Sequence, residues 1–333
     1  MEEKLKVSAR TTTRYVAVTF SLLLLAPAKA HDAEELLKSV EGNSSRIDLT
    51  NQILTNTSSD CADYVNAYES EVEDLQKNRA LRGAVIVGLE GSYCTIESNG
   101  IPNHDVGGGS RRDFASEVEA IGHTFKIARN PESKGLSSTL EHTNYDAVLL
   151  NGAVVDIQSA GCYRPNSPQA DENGNVLAGC RANDPYLLDP MSPLATFAED
   201  DHHAHTQPDG RYHYHGNPNA LFDDNPGPNG SPLIGFAADG FPVFGSFFKD
   251  ETGTVRKAKP GYTLKQGERP SGDGNPGGAY NGLYRSDYEF TNAGDLDECN
   301  GMTVNGVYGY YVTDSYPWIV ACLMGMPDAS FDK

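Results

Sequence analysis

Positive charge is scarce in this chain. Lys and Arg number 26 against 46 Asp and Glu, a formal net charge of -20. Such a surface repels nucleic acid and anionic membranes, so neither is an expected partner. Long apolar runs are scarce too: past the first 30 residues no stretch approaches the roughly 20 residues of a membrane-spanning helix. No transmembrane segment is therefore expected after cleavage of a leader. Phosphate loops, dinucleotide fingerprints, G-x-S-x-G and H-E-x-x-H are all missing, which removes the best-marked hydrolase and nucleotide-binding classes. Gly107-Gly108-Gly109 lacks the Lys and Ser of a phosphate loop and reads as a turn. No repeat period is present.

The first 30 residues read as a signal peptide. Lys4, Lys6, Arg10 and Arg14 precede an apolar run, and Ala28-Lys29-Ala30 is an A-x-A cleavage site. The mature protein is expected to be secreted or held at the cell envelope. In an exported chain, six cysteines point to three disulfides, although six allow 15 connectivities. Their order suggests Cys61–Cys94, Cys162–Cys180 and Cys299–Cys322, which leaves no thiol for catalysis. Asn43 (N-S-S) and Asn56 (N-T-S) are N-glycosylation acceptors in a eukaryotic host.

From residue 31 to 83 the pattern predicts a helical N-terminal extension. D-A-E-E-L-L-K-S-V has an acidic first turn and a Gly42-Asn43 stop, and Tyr64, Val65, Tyr68, Val72, Leu75 and Leu81 recur at helical intervals. After Gly83 short β-type runs alternate with N-G and D-G turns. Residues 84–333 are therefore expected to form a mainly β domain, an antiparallel sandwich or barrel-like fold.

Chemistry concentrates between Asp201 and Gly216, D-H-H-A-H-T-Q-P-D-G-R-Y-H-Y-H-G, which holds five of the nine histidines. Pro208-Asp209-Gly210 predicts a type I turn with a G1 bulge. Gln207 then pairs with Arg211, Thr206 faces Tyr212, His205 faces His213, Ala204 faces Tyr214, and His203 faces His215. Because alternate strand residues share a face, four imidazoles collect on one side and both tyrosines on the other. Protonated imidazoles repel one another and bury little apolar surface, so a transition metal, zinc or copper, is the expected reason to gather them. The predicted ligands are His203, His205, His213 and His215. A solvated His-rich hairpin is the plainer alternative.

Y-H-Y-H-G with its upstream H-x-H resembles the YHYH-domain family, which is named for this motif. S-N-G-I-P-N-H (Ser98 to His104), L-L-N-G-A (Leu149 to Ala153), L-I-G-F-A-A-D-G-F-P-V-F-G (Leu233 to Gly245), L-D-E-C-N-G (Leu296 to Gly301) and Y-V-T-D-S-Y-P-W-I-V-A-C (Tyr311 to Cys322) are similar to its other blocks. The resemblance spans roughly Tyr93 to Asp328 and implies no settled activity.

Other groups could serve the hairpin. His104 is a candidate ligand or acid/base. Asp295, Asp297, Glu298 and Asn300 offer oxygen ligands suited to calcium, or carboxylates that orient a ligating imidazole; a polar turn held by Cys299 is the other reading. Asp297 or Glu298 is expected within hydrogen-bond reach of a hairpin histidine, or close enough to act as general base. Cleavage after Ala30 would leave His31 N-terminal, where amine and ring could chelate copper. Three roles remain open: a metal-dependent hydrolase or oxidoreductase, a metal-binding module with a closed shell, and a structural extracellular glycoprotein.

Overall fold

A computed structural model describes residues 33–109 and 112–333. The expected leader and His31 lie outside the described residues. The fold is mainly β, with one α-helix among the described residues, α1 (Ala33–Gly42). The apolar positions of α1, Leu36 and Val40, close over Ala67 and Ala84 on the outside of a five-stranded sheet.

That sheet runs in sequence order: β1 (Ile47–Asp48), β2 (Asn66–Asp74), β3 (Arg79–Glu90), β4 (Tyr93–Ser98) and β5 (His123–Ala128). It corrects the helical reading of residues 62–82. Only a single 3-10 turn, Cys61–Tyr64, occurs there, followed by a β2–β3 hairpin paired from Asn66↔Val87 to Asp74↔Arg79. Strand β3 also runs straight through position 83, where the extension was expected to end. The physical reason lies in Glu69, Glu71 and Glu73. They alternate with Ser70, Val72 and Asp74, and the latter three are buried. Two of the three inward positions are polar, which hid a period of two. Ser70 Oγ donates to Pro102 O at 2.8 Å and the Asp74 carboxylate pairs with Arg79 at 3.2 Å, so both are paid for inside.

A second sheet of eight strands holds the rest of the core. Its members are β6 (Ala147–Leu149), β7 (Val154–Val155), β8 (Ala204–Thr206), β9 (Tyr212–Tyr214), β10 (Leu233–Ala237), β11 (Pro242–Phe244), β12 (Gly301–Val304) and β13 (Val307–Tyr311). Their spatial order is β8-β9-β7-β6-β10-β11-β13-β12. The pairs β9–β7 and β11–β13 are parallel, so the sheet is mixed rather than wholly antiparallel. Strands β6, β7, β10 and β11 are buried at every position, which explains their continuous apolar runs. The two sheets share one apolar core, and the described residues form no closed barrel.

All three disulfides form in the expected order, Cys61–Cys94, Cys162–Cys180 and Cys299–Cys322. No helix among the described residues is long and apolar enough to cross a membrane.

Candidate metal centre

The turn at Pro208-Asp209-Gly210 sets the register that its chemistry predicts. Ala204 pairs with Tyr214, His205 with His213 and Thr206 with Tyr212. Gln207 N–H donates to Arg211 O at 2.9 Å, and His215 N–H to His203 O at 2.9 Å. Gly210 sits at φ 94°. A Cβ there would lie 2.6 Å from Glu117 O, so this close approach of backbone also requires glycine.

The alternation of β9 sorts its side chains into two layers. Tyr212 and Tyr214 point into the core and are fully buried. Tyr212 O–H donates to Asp200 Oδ2 at 2.7 Å, and burial lifts this carboxyl to about 6 despite the hydrogen bonds it accepts. Tyr214 O–H meets His104 Nε2 at 2.6 Å and accepts from Asn151 Nδ2 at 2.9 Å. His104 Nδ1 donates to Asp105 O at 2.7 Å, so its Nε2 is the acceptor for the tyrosine. Burial, and then the neighbouring His202 ring, pushes His104 down to about 3. A neutral, buried His104 therefore holds the tyrosine layer. It packs against His202 and is not grouped with His205, His213 and His215 as the ligand or acid/base the sequence allowed.

On the opposite face His205, His213 and His215 converge. His215 Nε2 lies 3.1 Å from His213 Nε2 and 3.2 Å from His205 Nε2. His205 Nδ1 donates to Ala198 O at 2.6 Å and His213 Nδ1 to Arg211 O at 3.3 Å. Because a carbonyl only accepts, these contacts place the ring hydrogens on Nδ1 and leave Nε2 lone pairs facing inward. Burial, and then neighbouring imidazoles, holds His213 and His215 well below the usual histidine range; burial also lowers His205. Three neutral rings thus turn their Nε2 atoms to one point; with the His215 hydrogen on Nδ1, where the protein supplies no partner, all three present lone pairs suited to a cation. Zinc–nitrogen bonds of about 2.0–2.1 Å at tetrahedral angles put ligand atoms about 3.3 Å apart, close to these spacings.

The predicted four-histidine set is corrected to three in this geometry. His203 takes a left-handed backbone, φ 61°, and turns its Nδ1 to Asn217 O at 2.8 Å. Its ring lines a different cavity with Met191, Asn217 and Trp318. The acidic block also sits elsewhere. Asp295 accepts both Nη groups of Arg256 at 2.8 and 2.7 Å. Asp297 accepts from the Cys299 and Gly301 amides and from Tyr308 O–H, and Glu298 from Ser137 Oγ. None of these bonds reaches a hairpin histidine. Asn300 Nδ2 is spent on Tyr311 O and Ile319 O. The block is a structural turn at the start of β12, stapled by Cys299–Cys322. Among the described residues no metal-sized grouping of His, Cys, Asp and Glu includes it, and its aspartates already accept from Arg256, backbone amides and Tyr308.

The triad opens onto a cavity of about 600 Å³. Leu177, Ala178 and Phe197 give it apolar walls, and the Cys162–Cys180 bridge ties down the segment carrying two of them. Its polar groups include Gln207, Asp156, Lys333, His142 and Gln158. Gln207 Nε2 donates to Asp156 Oδ2 at 2.7 Å, and Lys333 Nζ pairs with the same oxygen. Sequence reasoning missed His142, Asp156 and Lys333. They lie in no motif, and only folding brings them to the triad.

The fold and site define a mainly β, disulfide-linked protein with a buried three-histidine cluster at the wall of a cavity. The chain belongs to the YHYH protein family, whose model matches residues 124–325. No curated protein and no solved structure matches the chain.

Proposed function

We propose that this is a secreted metal-binding protein whose single transition ion, zinc or copper, is held by His205, His213 and His215. The observation that carries the reading is the convergence of three Nε2 atoms whose rings are kept neutral. The ligand count favours use of the ion over its storage: three nitrogens leave a fourth position open, and the cavity lies on that side. Metal-activated water acting on a small substrate is the reaction class this arrangement suits best. Secretion is supported by the leader-like N-terminal sequence and the three disulfides. Asn56 is exposed and Asn43 partly so, as glycan acceptors would need to be.

Elemental analysis of protein purified from an exporting host tests the reading. About one zinc or copper per chain is expected, falling to background in a His213→Ala/His215→Ala double variant that keeps its fold. Equal metal in both proteins would overturn it.

A further inference from the structure

His142 lies outside the hairpin and far from it in sequence, yet it lines the cavity onto which the triad opens. The Cys180 backbone lies close enough to its ring to favour a proton there, and Nε2 is buried with no partner from the protein. With the ring hydrogen on Nδ1, toward the Cys180 backbone, Nε2 of the neutral ring carries a lone pair. The Cys162–Cys180 bridge fixes the backbone that sets this tautomer. A buried acceptor without a partner weakens a fold unless something it meets in use supplies the donor. The geometry thus provides two sets of imidazole nitrogens on one cavity: three that converge on a point, and one that stands apart from them.

We propose that His142 is the proton acceptor of this cavity, taking a proton from the water at the open position of the metal centre. The inference rests on that centre as read above. One O–H bond of the water breaks and one N–H bond forms at Nε2. With an ion held there, the ring would become imidazolium, the hydroxide would be left at the triad, and the charge of the pair would be unchanged. The proton later passes to the leaving group. Charged groups around the ring are arranged for a reversible transfer. Asp156 favours the imidazolium, Lys333 and Arg285 oppose it, and burial, the largest effect, keeps the resting ring neutral. Gln158 Oε1, buried without a protein partner on the same cavity, offers an acceptor for an N–H or O–H of the substrate.

Cobalt(II) serves as the probe, since its visible bands report both ligand set and the state of bound water. Full-length metal-free protein is loaded with cobalt, its stoichiometry is measured, and the bands are titrated with pH. The same is done with His142→Asn, whose amide can still donate toward the Cys180 backbone, and with His142→Gln. In the wild type the bands should follow two interacting protonations, those of bound water and His142. Both variants should bind one cobalt and lose one of the two transitions. Superimposable titrations in wild type and variants would overturn the role of His142 while leaving the metal centre intact. Failure of the wild type to bind cobalt at the triad would overturn the centre itself, and this inference with it. Loss of cobalt from His142→Asn with its fold retained would make His142 a metal ligand, which also overturns the proposal.

Discussion

His203 and His215 occupy paired positions on the hairpin, joined by a 2.9 Å bond from His215 N–H to His203 O, yet their rings serve different cavities. The left-handed φ of 61° at His203 makes the difference. A metal titration should therefore separate them. His203→Ala should keep near wild-type affinity for zinc, whereas His215→Ala should lose at least about 100-fold, since a three-ligand site becomes a two-ligand one. Isothermal titration with zinc into metal-free protein checks this. Equal losses would return His203 to the ligand set.

Tyr214→Phe removes the hydroxyl shared by His104 and Asn151 while keeping the ring. Two buried polar groups lose a partner, so a loss of about 1–3 kcal/mol is expected in urea unfolding. An unchanged midpoint would show that the tyrosine layer does not depend on this bond.

Gly210→Ala tests the turn. Its φ of 94° and the 2.6 Å approach to Glu117 O leave no room for a methyl group. We expect a loss of more than about 1–2 kcal/mol, together with weakened zinc binding, because the register that opposes His205 and His213 is set here. Normal zinc affinity in a folded Gly210→Ala protein would count against the turn as the source of the site's geometry.

Acid should weaken the metal-free protein through His104. Its folded value of about 3 lies below the usual value of 6.5, so the unfolded ring takes up a proton that the folded ring refuses. Its stabilising contribution is complete above about pH 6.5 and is lost as pH falls toward 3, with a slope of at most about 1.4 kcal/mol per pH unit. Comparing unfolding of wild type and His104→Gln between pH 7 and 4 isolates this share. Parallel stability curves would exclude it.

Opening the Cys162–Cys180 bridge with a paired serine replacement should cost about 3 kcal/mol, given its 18-residue separation. It should also loosen the cavity wall at Leu177 and Ala178. Hydrogen exchange of residues 162–180 is the direct measurement, and unchanged protection there would refute the coupling.

The hairpin was legible in the sequence because its information is local. Pro208-Asp209-Gly210 fixes the turn, the turn fixes the register, and a period of two assigns every ring to a face. The ring of His203 was not legible, since its direction depends on one backbone angle and on the Asn217 carbonyl. Residues 62–82 misled for a different reason: with Ser70 and Asp74 facing inward, apolar spacing alone favoured a helix, while the alternating glutamates carried the true period. The acidic block was expected near the histidines because carboxylates commonly orient ligating imidazoles. A buried carboxylate that does reach the cavity, Asp156, follows the buried strand β7 and has no such signature. Long-range neighbours of this kind are set by how two sheets meet, which no short window records.

The alternation of tyrosine and histidine along β9 makes the spacing between His205 and His213 a matter of parity. Substitutions in the intervening seven residues that spare Gly210 and Tyr212 leave each ring on its own side, so those at the exposed positions Pro208 and Asp209 should be the best tolerated. An insertion or deletion of a single residue exchanges the sides. It would send imidazoles into the apolar core and phenols into the cavity, and would break the anchor and the centre together. Across a library of variants, this segment outside Gly210 and Tyr212 should therefore accept substitutions more readily than odd changes in length.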